Sequence, residues 1–137
     1  MSDNRILLDT SFLYALNDKD DRNQRATVQY LQTAPAIKLL LPVPVLPELC
    51  YLLASRLGHQ GMRQFLQGLS NSDIELTSIE TIDLVRINDL MTQYKTAKLD
   101  FTDTAIIAIA ERLNITHILT FDRRDFSIIR PKHVDYF

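Results

Sequence analysis

Four carboxylates carry the chemistry open to this chain: Asp9, Glu48, Asp103 and Asp122. Each stands where an element of structure is expected to begin or end. Asp9 follows the apolar run Ile6-Leu7-Leu8, and Asp122 lies two positions beyond Ile118-Leu119-Thr120. Glu48 and Asp103 open apolar helical segments. With parallel strands, all four gather at one edge of one sheet. Carboxylates crowded together without a cation repel one another and resist burial. Oxygen-only donors suit a hard divalent ion, Mg²⁺ or Mn²⁺, better than zinc. Such a centre points to metal-assisted phosphodiester chemistry. Thr10, Ser11 and Thr120 set hydroxyls beside the acids, placed to orient a carboxylate or a water.

The elements that must position these residues read as an alternation of strands and helices. Arg5 to Leu8 is a short buried strand, and Ser11 to Leu16 is helical. A polar break over Asn17 to Asp21 leads to a helix from Gln24 to Gln32, ended near Pro35. Ile37 to Leu41 is strand-like. Prolines at 42, 44 and 47 place a helix start between Val45 and Pro47, since proline suits a first turn. That helix carries Leu49, Leu52 and Leu53 on one face and stops by Gly58. Gly61 to Leu69 is a short amphipathic helix, and Ile74 to Thr77 a strand. Thr81 to Lys95 is a long helix with Leu84, Ile87, Leu90, Met91 and Tyr94 in a stripe. Thr102 to Leu113 is apolar nearly all round and predicts a buried helix. Thr116 to Thr120 is a strand, and the tail from Ser127 to Phe137 supplies one more. The alternation predicts a three-layer α/β/α domain, residues 1–137, with a short and mostly parallel central sheet. Asp9 and Asp122 then leave the carboxyl ends of strands. Asp103 returns to that edge because its helix runs antiparallel to the strand that follows. Ligands of open α/β sheets bind at this edge.

Composition sets outer limits. The chain has 137 residues, 46% apolar and 23% charged, enough to bury a core. Its net charge of −2 gives no global basic footprint for nucleic acid. One cysteine, Cys50, excludes an internal disulfide and fits a reducing cytosol, so a cytoplasmic location is expected. No stretch approaches the ~20 apolar residues of a membrane span. Glycine occurs only at 58, 61 and 68, so there is no phosphate-cradling loop and no dinucleotide fingerprint. His59, His117 and His133 do not form a helical zinc pair.

Each acid also has a plainer role. Asp9 can cap the helix after it. Asp100 and Asp103 are spaced like a capping box, with Asp100 as the cap. Glu48 can complement a helix dipole. Asp122 can open the turn Asp122-Arg123-Arg124-Asp125 and pair with an arginine. Asp18, Asp20 and Asp21 read as solvated loop charges.

Taken together, the residues resemble a known family. Asp9-Thr10-Ser11 after an apolar strand, Pro47-Glu48-Leu49 at a helix start, Leu99-Asp100-Phe101-Thr102-Asp103-Thr104-Ala105, and Leu119-Thr120-Phe121-Asp122-Arg123-Arg124-Asp125-Phe126 resemble the PIN domain. The likeness is strongest to the VapC-type toxins of prokaryotic toxin–antitoxin pairs and extends over essentially the whole chain. It implies a Mg²⁺-dependent endoribonuclease, with Mn²⁺ able to substitute, and with Asp9, Glu48, Asp103 and Asp122 as its acidic set. Asp100 falls where the family often has a small capping residue. The resemblance further implies a homodimer neutralised by a cognate antitoxin. Arg123, Arg124, Arg130 and Lys132 follow Asp122 and are placed to hold an RNA backbone, or to form a solvated charged tail. Tyr51 and Phe65 belong to helices with more apolar surface than one core face needs, which points to a second chain.

Other readings compete. A phosphoryl-accepting receiver also gathers aspartates at a sheet edge, but it needs paired acids after its first strand and a lysine after a later one. Here Asp9 is followed by Thr10 and Ser11. A PIN-fold nuclease of RNA processing outside toxin–antitoxin systems, or an inactive interaction module of the same fold, remain alternatives.

Overall fold

The fold comes from a computed structural model, which describes residues 4–34, 36–122 and 124–129, and the backbone of 135–136. The chain order is β1 (Arg5–Leu8), α1 (Thr10–Asn17), α2 (Gln24–Thr33), β2 (Lys38–Pro42), α3 (Val45–Ser70), β3 (Glu75–Thr77), α4 (Thr81–Gln93), a 3₁₀ turn (Lys95–Ala97), α5 (Phe101–Leu113), β4 (His117–Leu119), α6 (Arg124–Ile129) and β5 (Asp135–Tyr136).

All described strand pairs are parallel, in the order β3-β2-β1-β4-β5. Parallel strands covered on both faces read as unbroken apolar runs. Ile6, Leu7 and Leu8 of β1 and Leu40 and Leu41 of β2 are accordingly buried. From β1 the chain steps outward to β2 and β3, then crosses back to β4 on the other side. Right-handed crossovers therefore put α1, α2 and α3 on one face and α4, α5 and α6 on the other. Packing agrees: α1 lies against α2 and α3, and α5 against α4 and α6. The winding direction reverses between β1 and β4, and a crevice opens beyond their carboxyl ends.

Two features depart from the sequence reading. In α4 the buried stripe holds Asp83 with Ile87 and Leu90, whereas Leu84 is exposed. Asp83 is buried because Arg112 of α5 donates to it at 2.8 Å, and because it accepts the Glu80 N–H at 2.8 Å in a capping box. The segment after Asp122 is helical from Arg124, and Arg124 pairs with Asp125, not with Asp122. The expected break at Gly58 is present: its φ of 84° and ψ of 169° interrupt α3. That region of backbone space is essentially glycine's alone.

Candidate active site

The crevice beyond β1 and β4 is a cleft of about 400 Å³, and all four acids line it. Asp9 begins where β1 ends, its N–H still donating to the Leu119 carbonyl at 3.1 Å. It occupies the cap position of α1, yet its carboxylate makes no capping hydrogen bond. Oδ2 instead accepts from Thr120 Oγ1 at 2.5 Å and Ser11 Oγ at 3.1 Å. Ser11 Oγ in turn accepts the Phe121 N–H at 2.8 Å. The ends of β1 and β4 are thus stitched by hydroxyls that aim Asp9. Burial pushes the Asp9 carboxyl up to about 6, against the hydrogen bonds from Thr120, the Thr10 backbone and Ser11, with a smaller push from Glu48.

Asp103 is 8% exposed. Its pKa rises to about 9, through burial first and then the charges of Asp9, Asp100, Asp122 and Asp125. The spacing of a capping box is present but only half of it is used. Asp100 caps α5 by accepting the Asp103 N–H at 3.1 Å. The reciprocal bond is missing, because the Asp100 N–H donates to Asp125 Oδ2 at 2.8 Å. Asp125, 1% exposed, takes the place that Asp103 would fill and leaves the Asp103 carboxylate to the cleft. Arg124 holds Asp125 at 2.6 Å and reaches the Ala97 carbonyl at 2.6 Å. This clamp between α6 and the entry to α5 had no local sequence signal.

Glu48 lies in the first turn of α3, and Leu52 and Arg56 follow it along the cleft wall at helical spacing. Asp122 is exposed in the β4–α6 connection, and its Oδ1 accepts the Arg124 N–H at 3.2 Å. The loop acids are not simply solvated. Asp18 accepts the Tyr14 hydroxyl at 2.7 Å, while Asp21 accepts the Asn23 N–H at 2.8 Å and lines the cleft. Arg124 is engaged by Asp125, while Arg123, Arg130 and Lys132 lie outside the described residues. Arg56, which the sequence reading passed over, stands 4.9 Å from the centre of the Tyr14 ring at the same cleft.

Among the described residues, no three carboxylate, imidazole or thiol groups converge as a closed metal cage. The acids line the wall, and side-chain rotation is needed to bring them onto one ion. Other features of the cleft fit a hard cation. Its donors are oxygens, two of its carboxyls are pushed toward their protonated forms, and the buried Thr10 Oγ1 has no hydrogen-bond partner.

The family model described as PIN domain matches residues 6–130. Ribonuclease VapC26 of Mycobacterium tuberculosis is 29% identical over 126 residues, which is 92% of this chain and 93% of that protein. The crystal structure of Mycobacterium tuberculosis VapC20, a sarcin-ricin loop cleaving toxin, aligns with a TM-score of 0.82 at 20% identity, over 94% of this chain and 98% of that one. VapBC2 from Rickettsia felis, solved with a DNA fragment from its promoter, aligns with a TM-score of 0.71 at 16% identity, over 97% of each chain. The two structural likenesses concern the fold.

Proposed function

Since the chain belongs to the PIN-domain family, we propose that it is a divalent-cation-dependent endoribonuclease, the toxin of a toxin–antitoxin pair. The observation that carries this reading is the gathering of Asp9, Glu48, Asp103 and Asp122 in one cleft at the switch point of a parallel sheet. The 29% identity to a VapC ribonuclease supports it over nearly the whole chain.

Asp9, Asp103, Asp122 and Glu48 would hold Mg²⁺, or Mn²⁺ in its place, with Thr10 Oγ1 and Asp100 close by. When bound, the cation supplies water activation and stabilises charge developing on the phosphate oxygens. The remaining work belongs to the chain. Thr120 and Ser11 fix the direction of Asp9. Asp125 keeps Asp103 free of helix capping. Ser11 and Thr120 spend their protons on hydrogen bonds within this network, so neither is poised as a nucleophile. Water then attacks phosphorus in line, and no covalent enzyme intermediate forms. Unpaired RNA is the fitting substrate, since regular A-form duplex hides its base edges in a narrow groove.

Incubation with single-stranded RNA, with Mg²⁺ or with EDTA, tests this reading. Cleavage should need the cation, fall at least about a hundredfold in Asp9→Asn, and leave no 2′,3′-cyclic phosphate. Cation-independent cleavage, or cyclic ends, would refute it. We further propose a cytosolic location, since the free Cys50 suits a reducing compartment. Among the described residues no helix is long and apolar enough to cross a membrane. A homodimer is supported by the exposed apolar side chains of α3: Tyr51 is 73% exposed, with Leu57 and Leu66 also open. Phe65 does not contribute, because it is buried in the core. The cognate antitoxin is the second protein partner, and an acidic cleft suits a basic side chain from it.

A further inference from the structure

Seven carboxylates and two guanidinium groups line the cleft among the described residues. An RNA strand carries a negative charge on every phosphate, so the placement of the cations decides where the strand can lie. Arg124 is committed: one nitrogen pairs with the buried Asp125 and another donates to the Ala97 carbonyl. Arg56 is differently held. No carboxylate lies within ion-pair distance of it among the described residues, and its guanidinium rests over the ring of Tyr14. The ring is itself fixed, being 6% exposed and tied through its hydroxyl to Asp18 at 2.7 Å. An arginine held against an aromatic side chain, with no carboxylate paired to it, keeps its charge and its outward N–H donors for the oxygens of a phosphate. The platform also limits the side-chain entropy lost on binding.

Position along α3 gives the register. Glu48, Leu52 and Arg56 follow at i, i+4 and i+8 and form one wall of the cleft. Eight residues of helix advance about 12 Å, and Gly58 breaks the helix only beyond Arg56. That advance sets the backbone of Arg56 well away from that of Glu48, so its guanidinium can meet the strand farther along than the phosphate beside Glu48 and Asp103.

We propose that Arg56, resting over Tyr14, is a substrate-binding cation that holds a phosphate of the RNA strand beyond the scissile one, running the strand along α3 from Glu48 toward the end of α1. This rests on the ribonuclease reading above. It makes Arg56 a binding residue and Tyr14 its positioning residue, and it adds a backbone contact on α3 to those expected of the segment after Asp122.

Steady-state cleavage of a single-stranded oligoribonucleotide over a range of salt tests the assignment. In Arg56→Ala, KM should rise about tenfold while kcat stays within about twofold, because the lost contact is made equally in the ground and transition states. The slope of log(1/KM) against log[salt] should flatten by about 0.7, the value for one phosphate contact on a single strand. Arg56→Lys should recover part of the affinity and the full salt slope, since charge remains but the planar fork is lost. Tyr14→Leu should raise KM several-fold with the salt slope kept. A substrate truncated on the Arg56 side of the cut should make wild type and Arg56→Ala alike. An unchanged KM and salt slope in folded Arg56→Ala, or a loss confined to kcat, would overturn the proposal while leaving the ribonuclease reading standing. Should wild type fail to cleave RNA at all, both fall. If Arg56→Ala does not fold, Arg56→Lys decides: an unaltered KM in that variant counts against a bidentate phosphate contact.

Discussion

Replacing Asp103 with asparagine removes the carboxylate that this fold accommodates least comfortably. Its carboxyl titrates at about 9 in the folded protein, against an ordinary value of 3.8. The folded state therefore holds the proton more tightly than the unfolded chain does. The stability that this contributes is complete below about pH 4 and is lost as the pH rises toward about 9. Each unit of displacement corresponds to about 1.4 kcal/mol, so the loss between about pH 4 and pH 8 has a ceiling of about 6 kcal/mol. The cleft is open, and Asp103 shares its field with Asp9, itself raised to about 6. Water, counter-ions and rotation of the carboxylate will absorb much of that ceiling. A gain of about 2 kcal/mol for Asp103→Asn at about pH 8 is expected, or about 6 °C in Tm for a domain of this size. The two proteins should converge near about pH 4. Urea unfolding in EDTA, followed by circular dichroism at several pH values, measures the difference. Adding Mn²⁺ should reverse the order. A site at a hundred times its Kd adds about 2.7 kcal/mol to the wild type, and the variant should gain far less. Asp103→Asn less stable than wild type at about pH 8 without metal, or equal stabilisation of both by Mn²⁺, would refute the electrostatic account of the cleft.

Asp125→Ala should release the Asp100 N–H and Arg124 together, lowering kcat about tenfold or more through misplaced Asp103, and a crystal structure should show Asp103 turned back onto its helix end. Gly58→Ala should cost about 1–3 kcal/mol in urea unfolding, because its Cβ meets no neighbour and the penalty is that of the backbone alone. Asp83→Ala should cost about 1–3 kcal/mol by the same measurement, since it removes the buried acceptor of Arg112 and of the Glu80 N–H, while Arg112 keeps Glu80 at 3.5 Å and the Ser78 carbonyl at 3.1 Å.

The sequence by itself determined the strand–helix alternation and the edge at which the acids appear. Apolar runs such as Ile6 to Leu8 and the all-round apolar Thr102 to Leu113 are local signals. Their period and length state which face is buried without reference to any partner. A carboxylate just after a parallel strand, as Asp9 and Asp122 are, has one edge to occupy, and a helix that follows or precedes such a strand opens at the same edge, so Asp9, Glu48, Asp103 and Asp122 were all placed there by connectivity. The break at Gly58 and the cap at Asp100 were local in the same sense. What these side chains do once there was decided by partners distant in sequence. Whether Asp100 and Asp103 close a full capping box depended on Asp125, brought in from α6. Leu84 faces solvent because Arg112, 29 residues beyond Asp83, makes that aspartate buriable. Arg124 reads as a free cation until Ala97 and Asp125 are seen beside it, and Arg56 reads as an ordinary helix-surface charge until Tyr14 lies beneath it. Apolar burial is nearly additive along the chain, whereas a polar or charged group takes its role from whichever partner packing brings within about 3 Å, and only the tertiary structure chooses that partner.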